Sequence, residues 1–326
     1  MYWAYLIHLG FKMWPYWRPE FWEKKKIGKP YSDPRMNDPN VLLFDKSVWD
    51  ETIGFLQKSG GNMLVIDIGE GMRFDSHPEL AVEGSWSKNA LRDEVKKLRD
   101  MGITPVPKLN FSTMHDDWLG VYERMVSTPV YYQVVSDVIA ETAEVFGNTG
   151  YFHIGMDEEK YYAKYDSFFQ VQRGLDFWWN DINFMMGKVR AAGCVPMMWA
   201  DTFWYHKEES LENISKDAIL CNWYYKDFTD TATETSKVRF NTYTVLADNG
   251  FFQMPTGSNW ERTDNMCETI KHCKSGVPHG KWFGFMQTSW VPTIHEEIEV
   301  HKEAVSLLGS AREEWESTEI SCAGAL

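Results

Sequence analysis

Tyr151-Phe152-His153-Ile154-Gly155-Met156-Asp157-Glu158 is a short apolar and aromatic run that ends in a glycine and two adjacent carboxylates. Such a run reads as a buried strand that delivers acids to a solvent-facing rim. Neighbours in a regular strand point to opposite faces. Asp157 and Glu158 therefore serve one pocket only if the pleat breaks just before them, and Gly155 permits such a break. Two carboxylates on one rim take different roles when their surroundings keep one protonated and the other ionised. Taken alone, an Asp-Glu pair reads as a solvated acidic loop, so the rest of the chain has to decide.

Helix-like segments flank the run. Residues 129–146 form an amphipathic pattern leading into it, and a long helix from about residue 168 to 192 follows, stopped by Gly193. The alternation extends in both directions. Strand-like runs occupy residues 2–9, 63–68, 103–109, 195–200, 218–223, 240–247 and 282–287. Helical patterns run from Ser47 to Gly60-Gly61, from Ser87 to Gly102, and over 261–274 and 292–308. Eight strand-like runs alternating with helices, without a second sheet, predict an α/β chain folded as a single (β/α)8 TIM barrel over residues 1–326. An open doubly wound sheet also alternates; the count, and the absence of a Gly-x-Gly-x-x-Gly turn after the first strand, favour the barrel. The loop over 10–44 carries Pro15, Pro19, Pro30, Pro34 and Pro39 with Trp14, Tyr16, Trp17 and Trp22, and ordered loops of that length are usually functional.

Chemistry in such barrels gathers where strands end. Those positions hold His8, Asp67 with Glu70, Asn110 with His115, Asp157-Glu158, Trp199 with Asp201, Trp223-Tyr224, Asp248-Asn249, and Gln287 with Trp290. All eight ends bear polar or aromatic groups, which a purely structural barrel does not require. Each also has a plain structural reading: His8 and His153 as core histidines, Asp67 as a loop cap, Trp223 as packing, and His115 as an exposed neighbour of Asp116-Asp117. No P-loop, Gly-x-Ser-x-Gly elbow or His-Glu-x-x-His occurs.

His153-Ile154-Gly155-Met156-Asp157-Glu158 resembles the His-x-Gly-Gly-Asp-Glu motif of glycoside hydrolase family 20, the β-N-acetylhexosaminidases, with Met156 in place of the second glycine. Residues 91–115 are similar to that family's preceding helix and strand, keeping Pro107 and His115 but carrying Lys108 and Asn110 where acids are usual. Residues 195–201 (VPMMWAD) and 283–290 (FGFMQTSW) resemble its tryptophan-bearing strands. The resemblance implies that Trp199, Trp223 and Trp290 wall an acetamido pocket, that Asp157 orients the substrate's 2-acetamido group, and that Glu158 is general acid and base. It also implies substrate-assisted chemistry, in which the acetamido oxygen attacks the anomeric carbon and no protein nucleophile is needed. His8, Asp67, Asn110, His115, Tyr224 and Gln287 complete the expected substrate-binding set. The chain departs from the pattern elsewhere. The strand-one arginine falls near Trp3, the strand-one aspartate becomes His8, the strand-seven tyrosine has no match beyond Phe251 or Phe252, and the glutamate after the last tryptophan is Val291. Two other readings stay open: a retaining glycosidase in which Asp248 attacks, its carboxyl roughly 5–5.5 Å from Glu158, and a catalytically silent sugar-binding barrel.

Composition fits a carbohydrate-directed barrel. The net charge of −14 argues against nucleic acid or an anionic membrane surface as partner. The 16 tryptophans offer flat apolar faces suited to sugar rings, although such residues also fill cores. No metal or organic cofactor is implied. Cys194, Cys221, Cys267, Cys273 and Cys322 are too sparse for a disulfide framework, and the Cys267–His272–Cys273 spacing is wrong for zinc. No apolar run of about 18 residues is present to span a membrane. The sequence opens on strand-like residues rather than a leader, which reads as a chain whose leader or preceding domain has been removed or never existed. Compartment and oligomeric state are left open.

Overall fold

Among the residues described by the computed structural model (1–15, 31–148, 150–159, 170–228 and 233–323), ten strands make a single sheet in which every pairing is parallel. They are β1 (Tyr2–His8), β2 (Met63–Asp67), β3 (Thr104–Lys108), β4 (Gly150–His153), β5 (Cys194–Trp199), β6 (Ile219–Cys221), β7 (Phe252–Gln253), β8 (Thr256–Ser258), β9 (Lys281–Trp282) and β10 (Gly284–Thr288). Neighbours pair in chain order from β1 to β7. Beyond β7 lies β9, while β10 pairs with the free side of β1 and β8 lies beyond β10. The sheet thus curls into a barrel-like wall, and helices α1 (Lys46–Lys58), α2 (Lys88–Asp100), α3 (Pro129–Val145), α4 (Leu175–Ala191), α5 (Lys207–Asn213), α6 (Glu234–Asp248), α7 (Asn265–Lys271) and α8 (Ile298–Ala323) surround it. Tyr16, Trp17, Pro19, Trp22 and Pro30, residues 168–169 and the Cys322 side chain lie outside the described residues.

The unbroken apolar strings are explained by burial on both faces. Ala4 and Leu6 join Met63, Val65, Val106, Met197, Trp199, Ile219, Cys221, Met254 and Met286 in a cluster inside the wall. Their alternates Trp3, Tyr5, Ile7, Leu64 and Ile66 pack outward against helix residues such as Trp49, Leu56, Leu91 and Leu98. An ion pair sits within this apolar setting. Asp67 and Lys108 are register partners at the ends of β2 and β3, both buried, and Lys108 Nζ donates to Asp67 Oδ2. His8 Nδ1 lies 3.5 Å from the same oxygen. Burial alone would raise the Asp67 carboxyl, but Lys108 and His8 more than offset it and bring it down to about 2.

Three expectations are corrected. Residues 240–247 are not a strand but most of α6, in which Thr233 Oγ1 caps the first turn by accepting from Ser236 N at 3.1 Å. Phe240, Thr242, Tyr243, Thr244 and Val245 favour strands by residue type, whereas the buried Thr242, Tyr243, Leu246 and Ala247 follow helical spacing. The strands paired beyond β6 begin instead at Phe252, past Gly250. The helix expected over 261–274 is likewise shorter, α7 followed by a π-turn through Gly276, and α8 begins at Ile298 rather than Pro292. Cys194, Cys221, Cys267 and Cys273 are free thiols.

Removing the cation of the buried pair leaves an uncompensated carboxylate. Lys108→Met is therefore expected to lower stability by about 3–5 kcal/mol, measured by urea unfolding. Adding Asp67→Leu to the same chain should recover much of that loss. A single variant within 1 kcal/mol of wild type, roughly the size of an exposed pair, would contradict this account of the barrel interior.

Candidate active site

The chain leaves the sheet at His153 by breaking the pleat. His153 Nδ1 accepts the Gly155 N–H at 3.0 Å, and Gly155, Met156 and Glu158 all take left-handed backbone, with φ of 71°, 72° and 59°. That conformation is ordinary for glycine and uncommon for Met or Glu. Asn110, just past β3, clamps the turn. Its Oδ1 accepts from Met156 N at 3.1 Å and from Ser112 N at 3.1 Å, while its Nδ2 donates to Asp157 Oδ1 at 2.8 Å. Ser112 Oγ donates to the Asp157 carbonyl, and Asp201 Oδ2 accepts the Glu158 N–H at 2.8 Å. These bonds satisfy the backbone that the turn takes out of the sheet.

The two neighbouring acids consequently open on one cavity of 220 Å³, lined also by Met13, Trp14, Asn110, His115, Trp199, Trp223, Tyr225, Trp260, Glu261 and Trp290. Their environments differ: the Asp157 side chain is 10% exposed and that of Glu158 is 40% exposed. His115 stands between them, its Nε2 lying 3.4 Å from Asp157 Oδ2 and 3.3 Å from Glu158 Oε2. Burial pushes this imidazole down, but Asp157 and Glu158 outweigh burial and raise it above its ordinary value. Trp199 and Trp290 approach with ring centroids 5.8 Å apart, and Trp223 lies 5.0 Å from Tyr225. A larger cavity of 380 Å³ opens past Met156 and Asp201, but the catalytic candidates Asp157 and Glu158 do not line it.

Of the residues expected from sequence, Asp157, Glu158, Asn110, His115, Trp199, Trp223 and Trp290 are brought together in the smaller cavity. His8, Asp67, Tyr224 and Gln287 are not. Asp67 is paired with Lys108, and His8 Nδ1 lies 3.5 Å from the same carboxylate. Gln287 shares the outward parity of Phe285, opposite Met286, and its Nε2 donates to the Thr288 carbonyl. Tyr224 turns into the core, its ring 5.3 Å from Phe228, because Trp223 already occupies the inward position. The same alternation sends Tyr225 inward, where its hydroxyl accepts from Trp290 Nε1 at 3.1 Å; counting two from Trp223 would have found it. Asp248 ends α6 on the surface, 59% exposed and paired with His279 at 2.7 Å, so the reading in which it attacks the substrate is withdrawn. Met13, Trp14, Trp260 and Glu261 come from loops whose path no strand pattern encodes.

No protein-family model matches the chain, and no curated protein sequence does. Solved structures do. The chitobiase of Flavobacterium johnsoniae superposes with a TM-score of 0.56 at 16% identity over 84% of this chain and 48% of its own. The exo-β-N-acetylglucosaminidase of Vibrio harveyi gives 0.59 at 11% identity over 99% and 58%, and a catalytic module of the pneumococcal exo-β-D-N-acetylglucosaminidase gives 0.64 at 12% over 96% and 83%. The fold is that of family 20 catalytic barrels. The chain spans about half to three-fifths of the length of the first two of these enzymes.

Gly155 is the tightest point of the turn. A Cβ there would lie 2.0 Å from Asn110 Oδ1 and 2.7 Å from Asn110 Cα, on backbone that disfavours any side chain. Gly155→Ala is expected to reduce stability by at least about 1–3 kcal/mol and to displace Asn110 from Asp157. A melting temperature equal to that of the wild type would contradict this close approach.

Proposed function

We propose that this chain is a retaining glycoside hydrolase that removes a terminal β-linked N-acetylhexosamine with assistance from the substrate's own acetamido group. The observation that carries the reading is the meeting of Asp157 and Glu158 on one rim cavity walled by Trp199, Trp223 and Trp290, in a fold shared with family 20 barrels. In this reading the interrupted runs 252–258 and 281–288 each count as one strand, which makes eight around the barrel.

Asp157, buried and oriented by Asn110, faces the acetamido nitrogen and stabilises the positive charge that develops as the acetamido oxygen attacks the anomeric carbon. Glu158 reaches the more open side of the cavity, where a leaving oxygen would emerge, and donates a proton to it. It then takes a proton from the water that opens the cyclic intermediate. Tyr225 supports the acetamido group in place of the tyrosine absent from the seventh strand, and the tryptophans cover the apolar faces of the sugar. Glu261 at the mouth supplies a carboxylate for ring hydroxyls. The silent sugar-binding alternative keeps the same walls but has no use for the strained turn that brings both acids to the rim.

Glu158→Gln should lower turnover by about 10²–10⁴-fold on glycosides with poor leaving groups, and by much less on activated aryl glycosides, which need little protonation. Asp157→Asn should instead slow both kinds alike, and should weaken inhibition by a thiazoline mimic of the cyclised intermediate. Equal losses on both substrates for Glu158→Gln would remove the acid role from Glu158.

A further inference from the structure

The loop after β1 is seated firmly at the cavity. Glu70 Oε1 accepts the N–H groups of Phe11 at 2.9 Å and Lys12 at 3.0 Å, and a Cβ on Gly10 would lie 2.4 Å from the Ile68 carbonyl. Two residues further, the Trp14 indole Nε1–H donates to His115 Nδ1 at 2.8 Å, with the ring centroids 5.8 Å apart. An indole nitrogen can only donate, so Nδ1 must present its lone pair. A neutral His115 then carries its proton on Nε2, the atom that faces both Asp157 and Glu158.

We infer that Trp14 is a positioning residue that acts through His115, fixing the Nε2–H tautomer so that the imidazole offers a donor to the paired carboxylates. The opposite tautomer would aim a lone pair at two carboxylate oxygens. Protonation on both nitrogens would set two N–H groups against each other 2.8 Å apart. The groups that bear on the His115 charge are therefore of two kinds: Asp157 and Glu158 draw a second proton onto the ring, whereas burial, Lys108 and the Trp14 N–H oppose it. By opposing the second proton, the Trp14 N–H holds the His115 midpoint below the level that the two carboxylates alone would set, and so limits the positive charge beside Glu158. The tautomer follows from the geometry alone; its effect on turnover rests on the glycosidase reading.

Nitrogen-15 NMR of the intact chain tests the inference, with the His115 signals assigned by their loss in His115→Gln. The expected pattern in the neutral ring, recorded above its titration midpoint, is a protonated Nε2 and an unprotonated, hydrogen-bonded Nδ1. A neutral ring protonated on Nδ1 would overturn it. In Trp14→Phe, which keeps an aromatic ring but no donor, the titration midpoint of His115 should rise. The alkaline limb of kcat/KM on an aryl N-acetylglucosaminide should move to lower pH, with roughly a tenfold loss at the optimum. A midpoint unchanged by Trp14→Phe contradicts the inference. Absence of turnover in the wild type contradicts the glycosidase reading instead, and leaves the NMR result to decide the role of Trp14.

Discussion

The site depends on a backbone reversal. A regular strand would send Asp157 and Glu158 to opposite faces, and only the left-handed residues at 155, 156 and 158 turn both toward one cavity. Such backbone is held where its surroundings over-determine it. Here Asn110 bonds both to the turn and to the carboxylate the turn presents, while Asp201, just past β5, holds the Glu158 N–H. Met156 shows how strong that hold is: a bulky side chain keeps the conformation usual for glycine, with its side chain buried in the outer core.

Parity governs the remaining walls as it governs the barrel. Inward positions on β5 and after β6 bring Trp199 and Trp223 to the cavity, and the next inward position brings Tyr225. Below them, the interior is mostly apolar, with the Lys108–Asp67 pair and the buried imidazoles of His8 and His153 set within it. The Lys108–Asp67 pair consumes the carboxylate that the second strand would otherwise offer to a ligand. The cavity's polar character therefore comes from the rim and its loops, which is where barrel chemistry is concentrated.

Much of this was legible in the sequence. Continuous apolar runs marked the buried strands, and Gly155 before two acids marked the broken pleat. Two kinds of residue escaped. Residues 240–247 have the composition of a strand but the spacing and burial of a helix, and packing of Tyr243 and Leu246 against the barrel prevailed over local preference. That error also misplaced Asp248. Trp14, Trp260 and Glu261 sit on loops, whose course depends on long-range bonds such as that from Glu70 to Phe11 and Lys12, and no periodicity reports such bonds. Gln287 and Tyr224 were lost for a simpler reason, since each lies one residue away from the inward-facing position.

The central claim is that Asp157 and Glu158 act together on a substrate that supplies its own nucleophile. The most direct measurement compares turnover of an aryl β-N-acetylglucosaminide with the matching aryl β-glucoside, which has a hydroxyl in place of the acetamido group. The account predicts hydrolysis of the first and none measurable of the second. Comparable rates on both would contradict it, because the second sugar carries no group able to take the nucleophile's place.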